Sequence, residues 1–479
     1  MNTKLVLKLN GFILLFDAIA MLLPVSVAIY YKESAGLAFL PAIIISLVIG
    51  IPLSLLTPKN KSLYAREGLV TVAIAWVVMS IIGALPFFFS GEIPNLIDCI
   101  FETASGFTTT GASILRDVES LSQCLIFWRS FTHWIGGMGV LIFVMALAPL
   151  AGGNNMQLIR AESAGPQVEK ILPKANINSK VLYGIYIGLT VLQIIFLLIG
   201  KMPFFDAVTT TFGTAGTGGF GIKNTSLAGY SMYIQGVVTV FMLLFSINFT
   251  MYFFIIAGKL KSVFKNEELR IFFGIVLIAT LLITFNNYSL FNSISEAVHH
   301  TVFTVASIIS TSGFSTVDFN LWPEFSKGIL FLLMFIGACA GSTCGGIKIS
   351  RIIILVKSLK REFVSLIHPK SVKAIKINGK KIGDDSIRRV NAYIICFLLI
   401  YIVSFLLISL DGFNFETNFT AVATTLNNVG PGFDMIGPTG NFADFSWFSK
   451  IVLTINMICG RLELFPIMII LLPQTWKRN

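Results

Sequence analysis

Four short runs rich in threonine, serine and glycine recur along the chain: ASGFTTTGA (104–112), FGTAGTGGF (212–220), ASIISTSGF (306–314) and ATTLNNVGP (423–431). Each has a glycine seven residues after its first member: Gly111, Gly219, Gly313 and Gly430. Asp98, Asp206, His300 and Thr417 stand thirteen residues before those glycines, so the four copies align without a gap. Thr109, Thr217 and Thr311 precede their glycines by two positions, and Asn428 takes that place in the fourth copy. A desolvated monovalent cation needs several oxygen ligands, and main-chain carbonyls supply them without an anionic charge that would hold the ion too long. Aiming successive carbonyls at one axis requires backbone angles that glycine accepts without steric cost. The candidate ligand set is Thr109, Thr110 and Gly111; Thr217, Gly218 and Gly219; Thr311, Ser312 and Gly313; and Asn428, Val429 and Gly430. None of the four runs holds a charged residue. That argues against a proton relay and against selection by a ring of carboxylates.

Such loops need an apolar frame, and the chain provides one. Of its 479 residues 55% are hydrophobic and only 12% charged, with a mean hydropathy of +0.82. A soluble domain carries roughly 25% charged residues, so the chain reads as membrane-embedded. The first apolar run is too long for a signal-peptide core and lacks a cleavage site, and is read as a retained span. Hydropathy predicts ten spans near 9–31, 35–57, 68–90, 124–149, 181–200, 231–257, 269–286, 326–357, 389–410 and 448–473. The shorter segments near 95–110, 203–219, 293–313 and 414–430 cannot cross and read as re-entrant, which requires protein or water around them. The expected fold is therefore all-α, with about ten transmembrane helices and four re-entrant pore helices in a pseudo-fourfold arrangement around one pore. Two spans (1–62) precede four units of helix, pore loop and helix, at 63–155, 156–262, 263–362 and 363–479. Half-helices are expected near 96–107, 204–215, 294–308 and 415–426, each with the partially negative end of its dipole toward the ion.

Orientation follows from lysine and arginine. With the N-terminus inside, 25 of the 35 basic residues lie on the cytoplasmic side and seven outside: Lys32, Arg116, Arg129, Lys201, Lys223, Lys327 and Lys450. Fourteen of the 24 acidic residues fall outside, among them Glu92, Asp98, Glu102, Asp117, Glu119, Asp206 and Glu296. The outer loops thus carry a net charge of −7 although the chain carries +11, and a negative vestibule would concentrate cations. An outer surface that merely avoids lysine and arginine would look the same. The basic pI requires no nucleic acid.

A second element lies below the third run. GACAGSTCGGIK (337–348) crowds four glycines and small polar residues into one span, which disfavours continuous helix. Gly341, Ser342, Thr343, Gly345, Gly346 and Lys348 form a candidate intramembrane gate, a tight helix-packing site being the plainer reading. Lys348 and Arg351 read either as anchors of that gate or as snorkelling cations. Arg461 lies halfway along the last span, where a charge costs at least roughly 2.5–3.5 kcal/mol. It is expected to face the pore beneath the loops, to hydrogen-bond the broken span, or both; Glu463, two positions on, points to another face of a continuous helix. Asp17 is buried in the first span, either paired or at a subunit contact. His299 and His300 read as polar residues at a helix start. No metal-ligand spacing or CxxC motif occurs, and a bridge between Cys99 and Cys124 has only their shared outer side in its favour. Lys370, Lys373, Lys376, Lys380 and Lys381 lie in a polar stretch, 358–387, read as a solvated loop or as a docking surface for a regulator or anionic lipid.

A carrier coupled to protons or sodium would need an intramembrane carboxylate relay, for which only Asp17 and Glu463 are available. A membrane enzyme would need a nucleophile–base constellation, and none is evident. TTTGA (108–112), GTGGF (216–220), STSGF (310–314) and NNVGPG (427–432) resemble the TrkH/KtrB/HKT superfamily of potassium transporters. HWIGGMGVLIF (133–143), GGNNMQLIRAESAGP (152–166) and the two extra leading spans resemble its bacterial TrkH branch. The resemblance implies potassium (K+) as the permeant ion, no organic cofactor, and the inner membrane of a bacterium, where the lysine and arginine bias puts both termini on the cytoplasmic side. It implies a homodimer with one pore per protomer and a cytoplasmic TrkA-type regulatory subunit, a ring of nucleotide-binding RCK domains. It also places a gate at 337–348 and a pore-facing arginine at Arg461. Pro431, after the fourth glycine, departs from the other three loops.

Overall fold

Helices build the described residues almost entirely, and eight of them, three of the four pore helices included, begin with a side-chain cap that answers the free N–H groups of the first turn. The computed structural model describes residues 1–58, 64–147, 175–369 and 374–476. The stretch 152–166, Lys370 and Lys373 lie outside the described residues. Two antiparallel helices come first, Thr3–Tyr31 with a slight irregularity at Met21, and Ser34–Ser54. They pack closely because Gly11 sits against the Gly50 carbonyl and the Ser54 amide, as small residues permit in membranes.

Four units of the same plan follow. In the first, Ala65–Ser90 leads, Leu96–Phe107 is the pore helix and Gln123–Leu147 trails. The second has Ala175–Ile199, pore helix Phe204–Gly216, and a trailing pair Met232–Phe245 and Phe249–Ile256. The third has Glu267–Asn287, pore helix Ile294–Ile309, and Glu324–Ile336 separated from Ile349–Ile367 by a loop. The fourth has Asp384–Ile408, pore helix Phe415–Asn427, and Trp447–Arg461 followed by Phe465–Leu471. The four pore helices match the expected half-helices within two residues.

Among the described residues, six helices are long and apolar enough to cross a membrane, and two bent pairs add two more spans. Gln123–Leu147 and the interrupted trailing segment of the third unit occupy the places of the ninth and tenth. Two expected spans are not straight. The second trailing helix bends by 92° after Phe245 and the fourth by 119° after Arg461, so Arg461 ends a helix instead of sitting inside one.

The polar stretch 358–387 is also more ordered than a solvated loop. The third trailing helix continues to Ile367, and a two-stranded hairpin pairs Lys376 with Lys381 and Ile377 with Lys380. Ile375 and Ile382 flank the hairpin and pack with Ile354, Ile387 and Val390. Cys99 and Cys124 are both buried free thiols, so the suggested bridge does not form. Asp17 is fully buried, and its carboxylate oxygens have no hydrogen-bond partner among the described residues.

Candidate ion pathway

Every pore helix ends in the same way. The residue after or just beyond its last turn is left-handed: Thr109 (φ 53°), Thr217 (φ 56°), Thr311 (φ 54°) and Asn428 (φ 54°). Its amide returns to the carbonyl three residues back, and the next amide bonds five back: Thr110 to Ser105, Gly218 to Gly213, Ser312 to Ser307 and Val429 to Thr424. This is a Schellman-type stop, which normally uses glycine because left-handed backbone costs an L-residue roughly 1–2 kcal/mol. Three β-branched threonines in that conformation are strained in a repeated manner, and such strain gathers at functional sites. Two residues on, Gly111, Gly219, Gly313 and Gly430 are left-handed again, with φ between 75° and 99°. The alternation of handedness turns successive peptide planes toward one side.

The loops meet around a common axis. A methyl on Gly111 would overlap the Gly218 carbonyl, one on Gly219 the Ser312 carbonyl, and one on Gly313 the Val429 carbonyl. One on Gly430 would lie 2.7 Å from the Thr110 carbonyl, which closes the circuit from the fourth loop to the first. The four glycines and the carbonyls of Thr110, Gly218, Ser312 and Val429 therefore form one circuit, the atypical fourth loop included. Side chains of the left-handed residues reach below it. Thr109 Oγ1 accepts from Arg461 Nη1 (3.1 Å), and Thr311 Oγ1 accepts from the Gly345 amide (2.8 Å). Asn428 Nδ2 donates to Thr110 Oγ1 and to the Met457 carbonyl, each at 2.9 Å. Thr217 alone turns back, to the Gly216 carbonyl at 2.6 Å.

The loop 337–348 lies directly under this ring. Gly345 packs against the Asn427 carbonyl, and the Gly346 amide donates to that oxygen (3.0 Å). On the side of the second unit, the Cys339 amide donates to Ser246 O (3.3 Å) and the Phe249 amide to Gly341 O (3.1 Å). Thr343 Oγ1 donates to Phe245 O (3.3 Å), and Asn248 packs on Gly341. The 92° bend thus exposes backbone groups that the loop then satisfies, as buried irregular backbone requires. Arg461 closes the other side, with Nη1 to Thr343 O and Nη2 to Gly136 O, both 2.6 Å.

Lys348 and Arg351 are buried, which removes the snorkelling alternative. Lys348 Nζ donates to the Cys344 carbonyl. Arg351 pairs with Glu463, donates to Ile347 O (3.0 Å), and lies 4.1 Å over the Tyr393 ring. Glu463 and Leu464 are consecutive left-handed residues (φ 57° and 68°) that make the 119° turn. Glu463 lies beyond the end of the helix at Arg461 and is engaged by Arg351.

Several residues of this site escaped the sequence reading. Glu268, at the start of the third leading helix, looked like an ordinary first-turn acid. It is buried and accepts from the Ala340 amide (2.8 Å) and the Ser350 amide (3.1 Å), gripping both sides of the loop. Glu102 and Arg129 looked like outer charges. They form a buried ion pair at 2.6 Å, and Glu102 also accepts from Ser113 Oγ and the Ile114 amide, each at 2.9 Å. Arg129 Nη1 donates to Gly221 O (2.9 Å), and its guanidinium lies 3.5 Å over the Phe220 ring. His133 Nδ1–H donates to Gly106 O (2.7 Å), and its Nε2 accepts from the Phe220 amide (3.2 Å). Arg129 and His133 occur within the apolar run 123–147, and that intrusion was the available signal.

Part of the outer acidic excess is structural. Glu33 accepts from the amides of Gln123 and Cys124, Glu92 from Ser122, and Asp98 pairs with Lys450 at 2.6 Å. Among the described residues no cluster of histidine, cysteine and carboxylates suits a transition metal. His299 and His300 each bond one neighbour, Gln235 Oε1 (2.8 Å) and Thr316 Oγ1 (2.9 Å).

The whole chain has counterparts among known proteins. The family model for TrkH, described as a cation transport protein, matches residues 35–477. The chain is 35% identical to the Trk system potassium uptake protein TrkH of Salmonella typhimurium, with 100% of both chains covered. It is 32% identical to the Trk system potassium uptake protein TrkG of Escherichia coli K12, again over 100% of both. The crystal structure of the potassium transporter TrkH from Vibrio parahaemolyticus superposes with a TM-score of 0.89 at 31% identity, over 100% of both chains. The chain belongs to the TrkH family of cation transport proteins.

Proposed function

We propose that the chain is the pore-forming subunit of a potassium uptake system in a bacterial cytoplasmic membrane. The closed circuit of glycine-to-carbonyl contacts among the four loops carries this reading. Main-chain oxygens around one axis replace the water shell of a large monovalent cation, and relatives over the whole length bear the name of potassium uptake proteins. Thr109, Thr110, Gly111 and their counterparts form the selectivity filter. The loop 337–348 with Lys348 and Arg461 forms the gate beneath it, and must move for an ion to pass.

Both termini face the cytoplasm, as the excess of basic residues on that side argues. The chain divides at 1–62, 63–155, 156–262, 263–362 and 363–479. The working assembly is a homodimer with a TrkA-type RCK ring on the cytoplasmic face. Coupling to protons or sodium is disfavoured by the placement of Asp17 and Glu463, and the buried Glu102 and Glu268 are held by Arg129 and by the Ala340 and Ser350 amides. Asp17 belongs to the first helix, which packs on the second and on the first leading helix, and Glu463 is held by Arg351.

The test is potassium-limited growth of an uptake-deficient bacterium carrying the chain or its G111S, G219S or G313S variant. The wild-type chain should restore growth, and each well-expressed variant should lose uptake or admit sodium. Three folded variants with unchanged potassium and sodium flux would contradict the filter.

A further inference from the structure

The four loops share one backbone, but only one unit braces its loop with charge. Nine residues before Gly111 stands Glu102; the same place holds Thr210, Thr304 and Ala421 in the other units. Six residues past the first residue of the first trailing helix stands Arg129; there the others hold Val238, Leu330 and Leu453. All eight side chains are buried. Three units of one protein thus place buried neutral residues at the corresponding positions. A buried ion pair is not required to hold such a contact together, since apolar replacements of similar volume are often as stable.

What the pair does instead is join two loops. Glu102 holds the outer end of the first loop through Ser113 and Ile114, and Arg129 holds the outer end of the second through Gly221. Phe220, next to Gly219, is fixed between the Arg129 guanidinium and the His133 ring, whose centroids lie 4.1 Å apart for His133 and Phe220. The His133 ring also occupies the space beside Gly218, and its Nδ1–H ties down Gly106 at the end of the first pore helix. The adjacent first and second loops are therefore joined by one brace, Glu102 of the pore helix with Arg129 and His133 of the trailing helix.

We infer that Glu102 and Arg129 are positioning residues that set the gap between the first and second filter loops, and thereby the discrimination of potassium from the smaller sodium ion. This rests on the filter reading above. The pair touches no ion; it acts by fixing where the carbonyls of Thr110, Gly111 and Gly218 stand. A smaller cation is rejected only if the oxygens cannot close in on it, so loosening one side of the ring should admit sodium before it slows potassium. Lysine cannot replace Arg129, because one ammonium does not present the planar fork that meets Glu102 and Gly221 together.

The experiment is paired potassium and sodium flux into vesicles reconstituted with the full chain, at equal gradients. Wild type, E102Q, E102D, R129K and the exposed-pair control R116Q are compared, each first checked for monodisperse elution in detergent. Arg116 pairs with Asp444 at the surface, 2.5 Å apart. The potassium-to-sodium flux ratio should fall about tenfold or more in E102Q and R129K, with partial recovery in E102D and no change in R116Q. A wild-type ratio in folded E102Q and R129K would overturn the inference while leaving the filter in place. Failure of all three brace variants to fold would mark the pair as structural and overturn it as well. No cation flux through the wild-type chain would instead remove the proposed function, and this inference with it.

Discussion

The filter loops and the trailing helices beneath them obey opposite rules. The loops are near copies: a left-handed Thr or Asn, a residue outside the positive-φ region, then a left-handed glycine, four times over. The trailing helices all differ. The first runs through as Gln123–Leu147, the second bends by 92°, the third opens into the loop 337–348, and the fourth turns by 119°. The difference is instructive. On the function proposed above, cradling an ion on an axis needs equal contributions from all sides, whereas blocking its path needs one obstruction. The bends in the second and fourth units make room for that obstruction, and their exposed groups bond to it: Ser246 O and the Phe249 amide on one side, Arg461 on the other.

The sharpest way to break the comparison is at the level where symmetry is required. G219A should reduce potassium flux by more than about tenfold, since a methyl there overlaps the Ser312 carbonyl and left-handed backbone costs alanine roughly 1–2 kcal/mol. Flux in reconstituted vesicles is the measurement, and near-normal flux in folded protein would dissolve the ring. Below the filter the expected change is in stability. E463Q leaves Arg351 buried without its carboxylate, and breaking a buried pair costs about 3 kcal/mol. Thermal unfolding in detergent should shift down for E463Q, and E463D should recover part of the loss.

One substitution made in three loops separates the two levels. T311V removes the acceptor of the Gly345 amide and should cost roughly 1–3 kcal/mol, enough to loosen the gate and raise leak. T109V should matter less, since Arg461 keeps Thr343 and Gly136. T217V should matter least, its hydroxyl meeting only the neighbouring Gly216 carbonyl. Equal effects at all three positions would deny that the lower level is asymmetric.

The smallest effect is expected at the outer rim of the fourth loop. Hydrogen bonds from Thr417 and Asn414 hold the Asp434 carboxyl below the ordinary carboxylate range. Its contribution is fully present above the unfolded value near roughly 4 and is lost only as pH falls through the lower folded value. Melting temperature should therefore be insensitive to this group between about pH 5 and 8. D434N should cost under about 1 kcal/mol, the site being largely exposed.

The chain's own order of residues determined the local features. A pore helix stops where a left-handed residue and a glycine follow it, and both lie within a few positions of the hydrogen bonds they make. The four half-helices, the ring-forming glycines and the break at 337–348 were legible for that reason, and so was the membrane class, which follows from composition. Tertiary structure alone decided which charges meet. Arg129 finds Glu102 across 27 residues, Arg351 finds Glu463 across 112, and Lys450 finds Asp98 across 352. Hydropathy treats Glu102 and Asp98 alike as outer acids, yet one is sealed behind the filter and the other pairs near the surface. The bends at 246–248 and 462–464 belong to the same class. Their sequences are apolar enough to continue. The first turns because backbone of the third unit, at Cys339 and Gly341, supplies hydrogen bonds that a straight helix would have kept for itself. At the second, the contacts to other units come from side chains, Arg351 on Glu463 and Arg461 on the Thr343 and Gly136 carbonyls.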